Sequence, residues 1–237
     1  MTSTTSLLSS YDDRFVEAIE LGALTQDNLQ SSLAYFEAES IRANSPKPKT
    51  LEVICLVCGL PLPTVVRQYA MRLQENMNKM LSGKCAYFVR EHNLATELVV
   101  LKWPTDLVDD RVTAQVAKYM RERGKLSEIK VETRGIQFHS DGAIVMRCVD
   151  VEGEFRSLRE KLLNEVALLP RKQSEWVHVP LGRILSPIAG DQFKLLVRYC
   201  SDTQLESPIE FRIETAKLIH ETRWYQEERV EIDSFEI

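Results

Sequence analysis

Apolar positions along this chain repeat with two periods, one of three to four residues and one of two, and the sequence of these periods outlines the fold. Phe15, Val16, Ile19 and Leu21 share a short helical pattern that Asp12 or Asp13 can cap and Gly22 can end. A second pattern carries Leu29, Leu33, Phe36 and Ile41 on one side, with Thr25 as its cap. The run Asn44-Ser45-Pro46-Lys47-Pro48-Lys49 then excludes helix, because proline restricts itself and the residue before it. Residues 1–49 therefore read as a helical extension with its linker, and residues 50–237 as the main domain.

The main domain opens on a strand from Leu51 to Cys58. After Pro61 and Pro63, Val66, Tyr69, Leu73, Met77 and Met80 predict a long helix closed by Ser82-Gly83. Cys85 to Val89 predicts a short strand, and Leu94 to Trp103 a longer one stopped by Pro104. Val108, Val112, Val116 and Met120 mark one face of the next helix. Val131 to Phe138 and Ala143 to Val149 flank Ser140-Asp141-Gly142, a hairpin signal. Phe155, Leu158, Leu162, Val166 and Leu169 line a further helix, Glu175 to Leu185 a strand, and Gln192 to Cys200 a short helix. Ile209 to Glu221 and Arg229 to Phe235 read as a closing strand pair around Trp224-Tyr225. Each half ends on a strand after a helical pattern, which implies a weak duplication: two facing lobes in an α+β protein.

Composition narrows the function classes. Of 237 residues, 44% are hydrophobic and 27% charged, the balance of a globular chain. A net charge of −5 provides no bulk basic field, so duplex DNA is not an expected partner. The polar start from Met1 to Ser10 lacks the basic and apolar regions of a secretory signal. No apolar run reaches the roughly 18 residues of a membrane span, so a soluble protein with no membrane partner is expected. Four of the five cysteines (Cys55, Cys58, Cys85, Cys148 and Cys200) lie in apolar stretches, which suits reduced thiols and a cytoplasmic location. Cys55 and Cys58 form a Cys-x-x-Cys, but residues three apart on a strand point to opposite faces, so both read as structural rather than as metal ligands. The sequence contains no glycine-rich phosphate loop, Gly-x-Ser-x-Gly elbow, His-Glu-x-x-His or calcium loop, and no cofactor is expected.

The segment Trp176-Val177-His178-Val179-Pro180-Leu181-Gly182-Arg183-Ile184 resembles the second signature of the two-histidine (2H) phosphoesterases, the superfamily of cyclic phosphodiesterases and 2′-5′ RNA ligase-like proteins. That signature is His-x-Thr/Ser-x on a strand, often continued by Leu-Gly-Arg. The element order from Leu51 onward, and the closing His220-Glu221-Thr222-Arg223-Trp224-Tyr225, are similar to the family as well. The resemblance implies a bilobal duplicated fold with two central antiparallel sheets flanked by helices. It also implies a cleft in which two imidazoles serve as general base and general acid while hydroxyls hold phosphate oxygens.

Here the pattern is incomplete. Pro180 stands where the hydroxyl is expected and has neither hydroxyl nor N–H. Where the family often shows Asn-Leu-His-x-Thr, the chain reads Asn93-Leu94-Ala95-Thr96-Glu97, so Ala95 replaces the first histidine and Glu97 its hydroxyl partner. Glu97 shares the face of Ala95, and a Glu97/His178 pair can do acid–base work; alternatively Glu97 pairs with Arg183 or Arg198. Arg183, by its place in the motif, is a candidate substrate-binding residue. Trp224 and Tyr225 can stack on a base or cover the sheet end. His92 belongs in the turn before its strand and returns as a candidate only if the alignment shifts. His139, beside the Ser-Asp-Gly turn, reads as exposed, and His220 as structural. Three functions are open: a diverged phosphoesterase for a nucleotide or RNA end, a non-catalytic binding or regulatory protein for a nucleotide or other small molecule, or a cleft reused for other chemistry. The N-terminal helices either cover the cleft or mediate an oligomer.

Overall fold

The computed structural model describes residues 13–107, 110–124 and 128–237. The expected cap Asp12 and helix position Val108 lie outside them. Helix α1 spans residues 13–20, followed by the short α2 (Gln30–Leu33) and α3 (Ala38–Arg42). Then come β1 (Thr50–Cys58), α4 (Thr64–Met80), β2 (Ala86–Phe88), β3 (Thr96–Lys102) and α5 (Asp110–Glu122). The second half runs β4 (Ile129–Phe138), β5 (Ala143–Asp150), α6 (Glu154–Glu165), β6 (Val177–Ile184), α7 (Gly190–Thr203), β7 (Glu210–Ile213), β8 (Thr215–Arg223) and β9 (Glu228–Glu236).

These strands form two antiparallel sheets, one ordered β3-β1-β8-β9 and the other β2-β6-β5-β4-β7. The α+β class and two-sheet architecture are those the sequence implies. Each sheet, however, takes strands from both halves of the chain, so the lobes are interlaced rather than consecutive.

Two expected elements are divided. The stretch from Ile209 to Glu221 is not one strand: β7 pairs with β4 in the five-stranded sheet, whereas β8 pairs with β1 and β9 in the other. The apolar parity shows why. Phe211 and Ile213 are buried at odd positions, Ala216 and Leu218 at even ones, so the chain changes face at Glu214 as it crosses between sheets. Likewise Thr25 caps no continuous helix. It bonds the Asn28 side chain, and the chain breaks between α2 and α3 so that Phe36 can bury and bridge to Pro48.

The outer faces of both sheets pack against α4–α7 in one core, joined by Phe15, Leu24, Leu29 and Phe36 of the N-terminal segment. In α4 the buried stripe includes Gln74, whose amide donates to the carbonyls of Val89 and Leu181 at 2.8 Å each and fastens the helix to β6. A second, smaller cluster of Val53, Cys55, Val57, Ala95, Val100 and Ile219 covers the inner face of the four-stranded sheet. Cys55 thus faces inward, while Cys58 lies in the main core on the opposite side. No helix among the described residues is long and apolar enough to cross a membrane.

Candidate active site

The inner faces of the two sheets enclose a cleft of about 460 Å³. Its wall includes Ala95, Glu97, His178, Pro180, Arg183, Trp224 and Tyr225, so every candidate site residue from the sequence lines one cavity.

Strand β6 supplies His178 and Pro180 on the cleft face, with Val177, Val179 and Leu181 in the core. The pairing with β5 jumps from Pro180 opposite Val145 to Gly182 opposite Ile144, leaving Leu181 as an extra residue. Such a bulge shifts the alternation, and it turns Arg183 into the cleft while Ile184 returns to the core. The missing N–H of Pro180 is tolerated beside this irregularity. Gly182 is required by close approach, since a Cβ there would lie 2.1 Å from the Tyr87 carbonyl of β2.

Arg183 is already engaged. It donates to Tyr225 Oη at 2.8 Å, to Ser32 Oγ at 2.7 Å and to Asp141 Oδ2 at 2.9 Å, beneath the ring of Tyr35. Arg198 pairs with Asp202 at 3.7 Å. Neither arginine pairs with Glu97, so that alternative is corrected by the geometry. The nearby cation is instead Arg159 of α6, which donates to the backbone carbonyls of Leu98 at 2.7 Å, Glu97 at 2.9 Å and Trp176 at 3.1 Å, tying the two sheets together.

Burial pushes the Glu97 carboxyl up to about 7, against the opposing pull of Arg159. Glu221 of β8, buried in the same wall, is pushed by burial up to about 8. It accepts hydrogen bonds from the backbone of Gln226 and Tyr225, holding a turn in which both residues are left-handed, at φ 58° and 62°. On the other wall, burial lowers His178 to about 3, helped by His139 and Arg159 and opposed by a hydrogen bond with the Trp176 carbonyl.

Sequence reasoning missed Glu221 and His139. His139 is not exposed; it is buried against the cleft, its ring edge-on to Trp176 at 6.0 Å. The overlooked signal is parity: His139 shares the face of Gln137, opposite the core residues Ile136 and Phe138. By contrast His92 sits exposed in a 3₁₀ turn, Glu91–Asn93, and His220 is not part of the cleft wall. The N-terminal segment narrows the mouth, contributing Arg14, Ser31 and Tyr35 to the lining. Tyr35 stacks on Trp224 at 4.4 Å, and Arg14 lies over Trp176 at 4.9 Å.

Neither a family model nor a curated protein sequence matches the chain. Solved structures do. TT0787 of Thermus thermophilus superimposes with a TM-score of 0.54 at 14% identity, over 78% of this chain and 97% of that one. Escherichia coli LigT in apo form gives 0.53 at 11%, over 79% and 98%. A protein described as a phosphoesterase gives 0.53 at 11%, over 78% and 98%. The fold is that of the 2H phosphoesterases, and at these identities the likeness speaks for the fold alone.

Proposed function

We infer that the cleft takes a nucleotide or an RNA-end phosphoester and works on it by acid–base chemistry shared between Glu97 and His178. The observation that carries this reading is their placement: a carboxyl beside β1 and an imidazole on β6 line one cavity from opposite sheets. Hydrolysis of a phosphoester needs one group to take a proton from water as its oxygen bonds to phosphorus. A second group gives a proton to the oxygen that leaves. Neutral His178 serves the first step and the protonated Glu97 carboxyl the second; a proton passed back from His178 to Glu97 restores both.

A bound anion favours this arrangement. It stabilises the imidazolium and keeps Glu97 and Glu221 protonated, and a protonated carboxyl is an O–H donor to a phosphoryl oxygen. That donor takes over the work of the hydroxyl whose place Glu97 itself occupies in the first signature. Trp224, stacked on Tyr35, presents an aromatic surface in the wall for a base, and Arg14 and Lys172 bring positive charge to the wall. That E. coli LigT has been solved complexed with 3′-AMP, at a TM-score of 0.51 to this chain, supports the nucleotide class. The buried free thiols suit a reducing compartment, which supports a cytoplasmic location.

A second reading, binding without turnover, is favoured by the Tyr35–Trp224 stack that narrows the mouth. Calorimetric titration with 3′-AMP and with adenosine, alongside turnover of 2′,3′-cyclic nucleotides, tests both. Binding of 3′-AMP at least tenfold tighter than adenosine, with turnover, is expected. Binding alone selects the second reading, and no binding of either compound overturns both.

A further inference from the structure

The end of β4 and the residue that follows it carry polar side chains that the acid–base reading leaves without a partner. Gln137 and His139 are two residues apart and share a face, while Ile136 and Phe138 lie in the core behind them. Gln137 is fully buried and His139 is 5% exposed. His139 Nε2 and both amide atoms of Gln137 have no hydrogen-bond partner among the described residues. Leaving a buried polar atom unpaired costs about 1–3 kcal/mol, so whichever of these side chains reaches the cavity is suited to meet a polar group from outside the chain. Of the two residues, His139 lines the cavity.

Its position across the sheet is defined. The His139 backbone N–H donates to the Ala143 carbonyl at 2.9 Å, and Ala143 pairs with Arg183 of β6. Pro180 lies one step along the same sheet, opposite Val145, which in turn pairs with Gln137. The row that lost a hydroxyl at Pro180 therefore runs beside the row that carries His139. Trp176 packs edge-on against the His139 ring, and Arg14 covers Trp176 in turn. The imidazole is thus held against the wall rather than free to swing into solvent.

The geometry points to His139 as a second ligand-contacting histidine of the cleft, its Nε2 meeting a phosphoester oxygen in place of the hydroxyl that Pro180 cannot supply. This rests on the reading that the cleft takes a phosphoester. The two imidazoles are then contributed by one sheet, with the carboxyls opposite. Burial pushes His139 down to about 4, in keeping with a neutral ring that offers one N–H donor rather than a fixed charge.

The test is nitrogen-15 NMR of the histidine rings in the full chain, titrated with inorganic phosphate and with 3′-AMP. The four histidines are assigned by single His→Gln variants. The rings of His139 and His178 are expected to shift together and saturate at one concentration, with His92 and His220 unmoved. His139→Ala should weaken 3′-AMP binding about tenfold or more, and His139→Gln, which keeps a donor, should restore it to within about threefold. A shift at His178 with His139 silent overturns this inference and leaves the cleft reading standing. Absence of any shift or binding overturns both. If His139→Ala does not fold, the wild-type titration decides alone.

Discussion

The two walls of the cleft respond to burial in opposite directions and arrive at the same result. The four-stranded sheet presents Glu97 and Glu221, held toward their protonated forms at about 7 and 8. The five-stranded sheet presents His139 and His178, held toward their neutral forms at about 4 and 3. Desolvation is the largest cause for all four groups, because it disfavours whichever form is charged. The cleft therefore holds proton donors on one side and proton acceptors on the other. Fixed charge enters its lining through Arg183, matched by Asp141 and shared with Tyr225, and through Arg14 and Lys172. The contrast teaches that one cause, burial, sets carboxyls and imidazoles to opposite protonation while leaving both uncharged.

Breaking the carboxyl wall should have the largest effect. Glu97→Gln removes a proton-transfer group and is expected to lower turnover of a 2′,3′-cyclic nucleotide by about 10²–10⁴-fold in steady-state assays. Thermal stability at alkaline pH should rise in the same variant, because a buried carboxyl no longer has to ionise. An unchanged rate would remove Glu97 from the chemistry.

Next comes the fixed charge of the opposite wall. Arg183→Met leaves Asp141 partly buried without its cation and is expected to cost about 3 kcal/mol in urea unfolding. It also releases Ser32 and Tyr225. Stability within about 0.5 kcal/mol of wild type would show that this node does not hold the N-terminal segment to the cleft.

A smaller effect should appear in the pH dependence of unfolding. The raised carboxyls retain protons in the folded state that the unfolded chain has already lost. They therefore weaken the fold as pH rises from about 4.5 through 7 and 8. The lowered histidines refuse protons that the unfolded chain accepts, so they weaken the fold as pH falls from about 6.5 through 4 and 3. Together these four groups contribute a plateau between about 4.5 and 6.5, where the two trends oppose each other, and a decline on either side. Glu97→Gln with Glu221→Gln should flatten the alkaline limb and turn the plateau into a rise with pH between about 4.5 and 6.5, leaving the acid limb in place. An unaltered alkaline limb would contradict the buried-carboxyl assignment.

The smallest effect belongs to the histidines outside both walls. His92→Ala and His220→Ala should each leave turnover unchanged and stability within about 0.5 kcal/mol. A tenfold loss of turnover in His92→Ala would restore it as a substitute for the histidine missing at Ala95.

Much of this architecture is legible in the chain because local period and packing agree. The stripe from Val66 to Met77 is helix α4, and His178 and Glu97 can be found because residues two apart on a strand share a face. What stays hidden depends on pairing over long distances. The run from Ile209 to Glu221 looks continuous, and only the parity change between Ile213 and Ala216 betrays that its halves join different sheets. His139 reads as exposed because the polar face of a hairpin usually meets solvent. Here a second sheet and the N-terminal segment cover it, and no local pattern records that covering. Glu221 escapes notice for a similar reason. A charged residue shortly before a Trp-Tyr turn reads as surface until β1 and the turn itself enclose it.

The central claim, that both walls act on one phosphoester, is tested most directly by turnover of a 2′,3′-cyclic nucleotide and short RNA-end panel by wild type and His178→Ala. The account predicts turnover by the pure wild-type protein that falls by about 10²–10⁴-fold in the variant while 3′-AMP still binds. Equal turnover by both proteins, or no turnover and no 3′-AMP binding by the wild type, would contradict it.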